Sequence, residues 1–178
     1  MKKFPKILTA AVILLLVTTS CARYHFGNNL PQTQRDITVT EIQNLTSETA
    51  LTPLLQDAMR ECVMNTPGIK LTTPTDATLE LTAKITSLDQ SKAASAKTRN
   101  KLASHDDGDS YQTVLYRLTM KCQYTAAPTR EDAIPRTGEI EATADVPLMQ
   151  DLALAQQAAL KQLARDAANQ IVNALCEE

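Results

Sequence analysis

The sequence predicts an α+β domain, a two-layer sandwich in which a mostly antiparallel sheet carries two helices on one face. Residues 77–88, 111–124 and 138–146 alternate apolar and polar side chains, which is typical of strands with one buried and one polar face. Two other segments place apolar residues three and four apart, the spacing of an amphipathic helix. Helices that cover the apolar face of such a sheet form a common two-layer architecture.

The elements follow in a definite order. A short strand is predicted at 37–40, and a first helix runs from Leu51 to Val63, with Pro53 in its first turn and Thr66-Pro67-Gly68 as its stop. A short strand at 69–71, the three long strands and a helix at 150–174 complete the domain. On the polar face of the sheet, cross-strand pairing is expected between two basic and three acidic side chains: Arg117, Lys121, Glu139, Glu141 and Asp145.

Composition excludes several classes of protein. The chain has 178 residues, of which 43% are hydrophobic and 21% are charged, a length that suits one domain. Its four glycines are isolated, so Gly-rich phosphate loops and dinucleotide fingerprints are excluded. The chain has no Trp and few other aromatic residues, which argues against stacking on single-stranded nucleic acid, and we expect no nucleic-acid partner.

Residues 1–20 have the layout of a bacterial signal peptide. Three lysines precede an apolar stretch from Ile7 to Val17, and small residues lead directly to Cys21. Small residues followed directly by a cysteine resemble a lipobox, so Cys21 is expected to become the lipidated first residue of the mature chain. The alternative is ordinary secretion with Cys21 as a free thiol. Three of the 18 basic residues lie in the signal segment, so the mature chain has 15 basic and 20 acidic residues and a net charge of −5.

The mature chain is divided into a tether and a single domain. Residues 21–35 are polar and aperiodic and are interpreted as the tether; residues 36–178 form the domain, which contains a long polar loop at about 89–110. This loop carries the one basic cluster of an acidic chain. Lys97, Arg99 and Lys101, together with Lys92, are candidates for contact with phosphate or another anion; the alternative is a solvated basic loop.

Sites for chemistry are not evident. The two histidines, His25 and His105, have no second ligand at zinc spacing. No nucleophile motif is present, so the sequence predicts neither an enzyme nor a cofactor or metal site.

Three cysteines remain after Cys21. If the strands from 69 to 146 alternate in direction, Cys122 and Cys176 lie at the same end of the sandwich and Cys62 at the other. This predicts a Cys122–Cys176 disulfide, with three reduced thiols as the alternative.

Several segments together resemble the LptE family of lipopolysaccharide-assembly lipoproteins. The lipobox-like Cys21 is followed closely by Tyr24-His25-Phe26-Gly27, and the strand at 37–39 leads into a helix containing Leu54-Leu55-Gln56-Asp57-Ala58. The segment from Thr75 to Ile85 is similar to the family's entry to a long strand, and an Ala-rich helix ends the domain. The resemblance extends over nearly all of the mature chain.

This resemblance implies a non-enzymatic lipoprotein, lipid-anchored on the periplasmic side of the outer membrane. It implies an LptD-type β-barrel as the partner, which the chain would plug while assisting lipopolysaccharide insertion into the outer leaflet. Lipopolysaccharide phosphates would then be the anions for Lys97, Arg99 and Lys101. The alternative function is a generic outer-membrane lipoprotein that acts as a pilot or adaptor for another envelope complex.

Overall fold

The computed structural model describes residues 30–98, 110–129, 135–148 and 151–177. Five strands and two α-helices occur in these ranges, in the predicted order. Their bounds are β1 Asp36–Asn44, α1 Leu51–Asn65, β2 Lys70–Leu71, β3 Leu79–Thr98, β4 Ser110–Pro128, β5 Arg136–Pro147 and α2 Leu152–Glu177. A single 3₁₀ turn, Gln32–Gln34, precedes β1. The α+β fold class is therefore confirmed.

The sheet is mixed. Its strand order is β2-β1-β3-β4-β5. The β3–β4 and β4–β5 pairs are antiparallel, whereas β1 is parallel to both β2 and β3. The alternating strand directions expected from the sequence are therefore wrong at β3.

The short β2 explains the direction of β3. Because β2 has two residues, the chain stays at the end of the sheet where β1 begins, and a turn at 73–76 leads it to the other side of β1. Backbone N–H groups on both sides then bond to the start of β1: Thr72 donates to the carbonyl of Ile37 at 2.9 Å and Thr78 to that of Asp36 at 2.8 Å. From there β3 can only run alongside β1 in the same direction.

Both helices pack on the apolar face of the sheet, as predicted. The fully buried side chains include Leu55, Met59 and Val63 of α1, and Leu163, Ile171 and Leu175 of α2. These residues form one cluster with the inward-facing residues of β1, β3, β4 and β5. The two helices also contact each other along their length, and the Cys62 thiol of α1 donates to Asn169 Oδ1 of α2 at 3.1 Å. Alanines on the buried face of α2 allow this close approach: Ala159, Ala164, Ala167 and Ala168.

The predicted tether overlaps the core. Leu30 is 1% exposed and Gln34 is 5% exposed, so the segment before β1 is already part of the folded domain. The side chain of Arg35 is held by a hydrogen bond from its Nε to the carbonyl of Leu30, 3.2 Å away. The sequence of this segment has no periodicity because it is a turn and contributes one apolar side chain to the core, so the boundary predicted at residue 35 is too late.

The predicted polar loop at about 89–110 is largely a β-ribbon. Strand β3 continues to Thr98 and β4 already begins at Ser110, and the two remain paired as far as Thr98 and Ser110. Neither β1 nor β5 pairs with this part: the β1–β3 pairing ends at Ile85 and the β4–β5 pairing reaches Leu115. Because no helix or further strand covers the ribbon among the described residues, residues 89–96 of β3 are all exposed, and the alternation that reveals a half-buried strand is lost.

Candidate functional site

The outer face of the sheet, opposite the helices, is a continuous polar surface. Its side chains alternate along each strand with the buried ones, so inward packing fixes which residues point outward. The members of this outer face are Thr82 and Lys84 on β3, Arg117, Thr119, Lys121 and Gln123 on β4, and Glu139, Glu141, Thr143 and Asp145 on β5. No described residue packs over them.

A bidentate ion pair joins β4 and β5 on the outer face. Arg117 donates from Nε to Asp145 Oδ1 at 2.8 Å and from Nη2 to Asp145 Oδ2 at 3.1 Å. Cross-strand charge pairing was predicted for this face, and the Arg117–Asp145 pair is an instance of it. The hydrogen bonds from Arg117 lower the pKa of Asp145, and the same contact raises the pKa of Arg117. The side chains of Arg117 and Asp145 are 49% and 41% exposed. The pair therefore fixes the orientation of these two side chains on a solvated surface and adds little stability.

The other charged groups of the outer face are not tied to one another. Lys121 lies directly opposite Glu141 in register, yet the two form no ion pair within the described residues. Lys84 lies between Gln43 and Gln123, and these three side chains, with Glu41 and Thr82, line a polar depression of about 290 Å³. A bulge in β1 between Val39 and Ile42 shapes this depression. Amide, hydroxyl and ammonium groups are thus available there for a polar partner.

The structure describes two of the four predicted anion-binding residues, Lys92 and Lys97. Lys97 lies near the far end of the ribbon, opposite Tyr111 in register, and Lys92 lies on the same strand as an exposed residue opposite Tyr116. Arg99 and Lys101 lie outside the described residues, as does the predicted lipidation site Cys21. Contact between Lys97, Arg99, Lys101 and an anion therefore stays a prediction.

An apolar groove near the start of α2 was not predicted. It has a volume of about 800 Å³ and is lined mainly by Pro147, Leu148, Leu154, Ala155 and Ala158. Leu148 and Leu154 are 50% and 63% exposed. Leu152 is also 46% exposed, although it lies on the same side of the helix as Ala155 and Ala159. Leu154 does not lie on the buried face of α2, and a large apolar residue in such a position could have indicated an exposed apolar patch from the sequence.

The cysteines do not form the predicted bridge. Cys62, Cys122 and Cys176 are all free thiols in the structure, so it contains no Cys122–Cys176 disulfide. Burial on the inner face of β4 raises the pKa of Cys122 to about 11. The pKa of Cys176 is also raised, mainly by burial and partly by the nearby Cys62 thiol. The Cys62 thiol is therefore close enough to Cys176 to affect its pKa.

Among the described residues, no group of three or more His, Cys, Asp or Glu side chains could hold a metal ion. No described helix is both long and apolar enough to cross a membrane.

Comparison with known proteins assigns the chain to a family. The model of the family described as LptE, lipopolysaccharide-assembly, matches residues 34–175, which include every strand and both helices described above except the last two residues of α2. The chain belongs to the LptE family. The resemblance noted in the sequence is thereby confirmed, and the match begins two residues before β1.

Solved structures of bacterial lipoproteins show a more distant similarity. One from Caulobacter crescentus is 16% identical, with a TM-score of 0.47 over 76% of this chain and 87% of that one. A minor lipoprotein of Acinetobacter baumannii is 11% identical, with a TM-score of 0.44 over 82% and 93%. The rare lipoprotein B of Shewanella oneidensis is 18% identical, with a TM-score of 0.39 over 78% and 92%. Scores this low establish no function for the chain, and no curated protein sequence matches it.

Proposed function

We propose that this LptE-family chain is a non-enzymatic lipoprotein of the outer membrane that occupies an LptD-type β-barrel and assists lipopolysaccharide insertion. The observation that carries the proposal is the family match over 34–175. The uncovered outer face of the sheet supports it, because the interior of a membrane β-barrel is polar and a plug must present polar groups to it.

The barrel contact is assigned to the outer face, on Arg117 and Lys121 of β4. Both side chains are exposed in the middle of that face and lie opposite acidic residues of β5. Reversing both charges should weaken the complex, since acidic groups of the barrel that face Arg117 and Lys121 would then be repelled.

The experiment compares two double variants of the full chain in mild-detergent pull-downs. Arg117→Glu/Lys121→Glu is expected to lose most of the LptD-type barrel that co-purifies with the wild type. The matched control Arg60→Glu/Arg165→Glu makes the same charge change on exposed helix positions and should retain the barrel. Equal retention by both variants would remove the outer face as the contact surface. A wild-type pull-down that contains another envelope complex and no LptD-type barrel would support the pilot or adaptor function.

Anchoring and ligand contact are separate parts of the proposal. A Cys21→Ala chain should leave the membrane fraction, since stable membrane attachment is assigned to the acyl chains on that residue. Replacing Lys97, Arg99 and Lys101 with Ala should weaken lipopolysaccharide binding, and the wild-type interaction should fall with added salt. Equal binding by the triple variant would identify these residues as solvated surface only.

A further inference from the structure

Strand β5 lies at one edge of the sheet and pairs on one side only. The strand order ends at β5, and no described residue pairs with its other side. Strand β5 is 12 residues long and remains in uninterrupted register with β4 from Leu115 to Ala126. An exposed edge of this length is a template for pairing with another chain unless the protein blocks it.

One hydrogen bond fixes which backbone groups of β5 face outward. The N–H of Leu148 donates to the carbonyl of Val114 at 2.9 Å, and continuing the β4–β5 register by one pair places these two residues directly opposite each other. In an antiparallel pair, residues that bond to the partner alternate with residues that do not. The even-numbered residues of β5 therefore bond to β4, and the N–H and C=O groups of residues 137, 139, 141, 143 and 145 point to the free side.

Pro147 agrees with this assignment. It continues the odd-numbered series, so the N–H that proline lacks would have pointed away from β4, which is where proline is tolerated in an edge strand. Between Thr137 and Val146 the strand has no proline, no bulge and no lysine, and its inward-facing residues Ile140, Ala142, Ala144 and Val146 are buried and apolar. Proline, bulges and lysine are thus missing over ten residues, and acidic side chains are the one usual edge device present there.

The outward-facing backbone belongs to acidic residues. Glu139, Glu141 and Asp145 are all in the odd-numbered series and all point to the outer face. A residue that pairs with them through the backbone would lie about 5.5 Å away between Cα atoms. At that distance opposite charges stabilise a cross-strand pair and like charges destabilise it.

This charge pattern disfavours a second copy of the chain as the occupant. In a two-fold antiparallel pair of β5 edges centred on Glu141, Glu141 would face itself. Shifting the register by two residues places Glu141 opposite Glu139 in one direction, and Glu139 opposite Asp145 in the other. Each of these arrangements puts like charges directly opposite each other, so a strand with basic residues at alternate positions fits the edge better.

We propose that the free edge of β5 binds an extended segment of a partner protein as a sixth strand, with Lys or Arg at alternate positions facing Glu139 and Glu141. Backbone hydrogen bonds supply affinity and the alternating charges supply register, the mode known as β-augmentation. The remaining residues of the added strand continue the inner face beside Ile140 and Ala142 and are therefore apolar. This inference does not depend on lipopolysaccharide assembly as the function.

The test uses three blocked heptapeptides as probes and hydrogen exchange of the mature chain as the readout. The first is Thr-Lys-Val-Lys-Val-Lys-Thr, the second replaces each Lys with Glu, and the third contains the residues of the first in the order Lys-Lys-Lys-Thr-Val-Val-Thr. In the free protein, the amides of Ile140, Ala142 and Ala144 should exchange slowly and those of Glu139, Glu141 and Thr143 rapidly. Saturation with the first peptide should slow exchange of the second set at least tenfold, and the other two peptides should not.

Matched variants separate strand pairing from general attraction to acidic surface. Glu139→Lys/Glu141→Lys should abolish protection by the Lys peptide and create protection by the Glu peptide. Glu41→Lys/Glu80→Lys makes the same charge change elsewhere on the sheet and should behave as the wild type. Protection that is absent, or equal with the reordered peptide, overturns the proposal. Protection that grows with protein concentration alone overturns it in favour of self-association. None of these outcomes depends on whether an LptD-type barrel co-purifies.

Discussion

Gly138 of β5 lies against the ring of Tyr124 on the neighbouring strand β4. The two residues are opposite each other in register. A Cβ atom added at Gly138 would lie 2.6 Å from each of Cε1, Cζ and Oη of Tyr124. Carbon atoms in favourable contact are about 3.5–4.0 Å apart, so a Gly138→Ala variant must displace the ring by about 1 Å. Tyr124 is 4% exposed and packed in the core, which leaves little room for that displacement.

The expected loss of stability follows from this contact. Adding atoms to a packed core costs about 1–3 kcal/mol, whereas the reduced freedom of the unfolded chain returns about 0.4–1 kcal/mol. We expect Gly138→Ala to lower the free energy of unfolding by about 1–2 kcal/mol. Urea unfolding followed by circular dichroism measures it, and with a typical slope of about 1–3 kcal/mol per M the midpoint should fall by about 0.5–1 M with the slope unchanged.

A double-mutant cycle isolates the clash from other effects of the methyl group. In a Tyr124→Leu background the ring is missing, so the cost of Gly138→Ala should shrink by about 1 kcal/mol or more. In the control background Leu55→Ala, which alters helix α1 instead, the cost of Gly138→Ala should remain as large as in the wild type. A neutral Gly138→Ala variant, or a cost that is the same with and without the ring, would refute the steric argument.

Three further predictions concern a turn, a thiol and the outer-face ion pair. Gly68 has a φ of 85° after α1, so Gly68→Ala should cost about 1 kcal/mol of unfolding free energy in the same urea assay, and an unchanged midpoint would contradict this. Burial raises the pKa of Cys122 to about 11, so its stabilising contribution is complete below the ordinary thiol pKa and is lost as the pH rises through about 11. The stability difference between wild type and Cys122→Ala should therefore narrow over that range, and native Cys122 should alkylate more slowly than Cys176. The hydrogen bonds from Arg117 lower the pKa of Asp145. The contribution of this ion pair to stability is therefore present above the ordinary carboxyl pKa and is lost as the pH falls through the lowered value. Arg117→Gln should raise the pKa of Asp145 in an NMR titration, and an unchanged pKa would rule out the hydrogen bonds in solution.

Local patterns predicted the elements wherever one side of an element is buried. The alternation in 77–88, 111–124 and 138–146 marks strands because inward residues of the sheet are apolar and outward ones are polar. The same rule fails in the ribbon, where residues 89–96 of β3 are exposed on both sides and no apolar face develops. It also fails at Leu30, a single buried side chain in a turn, because one residue has no period.

The outer-face ion pair could be predicted, whereas the free edge of β5 could not. Arg117 and Asp145 were expected to meet because they occupy facing strands of one hairpin, a relation that the sequence contains. Strand β5 alternates in the same way as a central strand, and its place at the edge follows from the fact that the next element is the helix α2, which packs on the inner face. The acidic outward residues can be interpreted as contacts for an added strand only once that edge position and the direction of their N–H groups are known.

The direction of one strand decides which thiols are neighbours. The placement of Cys62 at the opposite end of the sandwich from Cys122 and Cys176 rested on β3 running opposite to the short strand before it. Because β2 is only two residues long and β3 runs parallel to β1, the directions of β4, β5 and α2 are all reversed relative to that expectation. Helix α2 therefore runs in the same direction as α1, and its last turn lies at the end of the sandwich where α1 also ends. Arg136, the first residue of β5, donates from Nη1 to the carbonyl of Leu175 at 2.6 Å and so fixes that last turn in place. The Cys62 thiol of α1 donates to Asn169 of α2, and Cys176 follows Asn169 by two turns of the same helix. Cys176 therefore lies at the same end of the sandwich as Cys62.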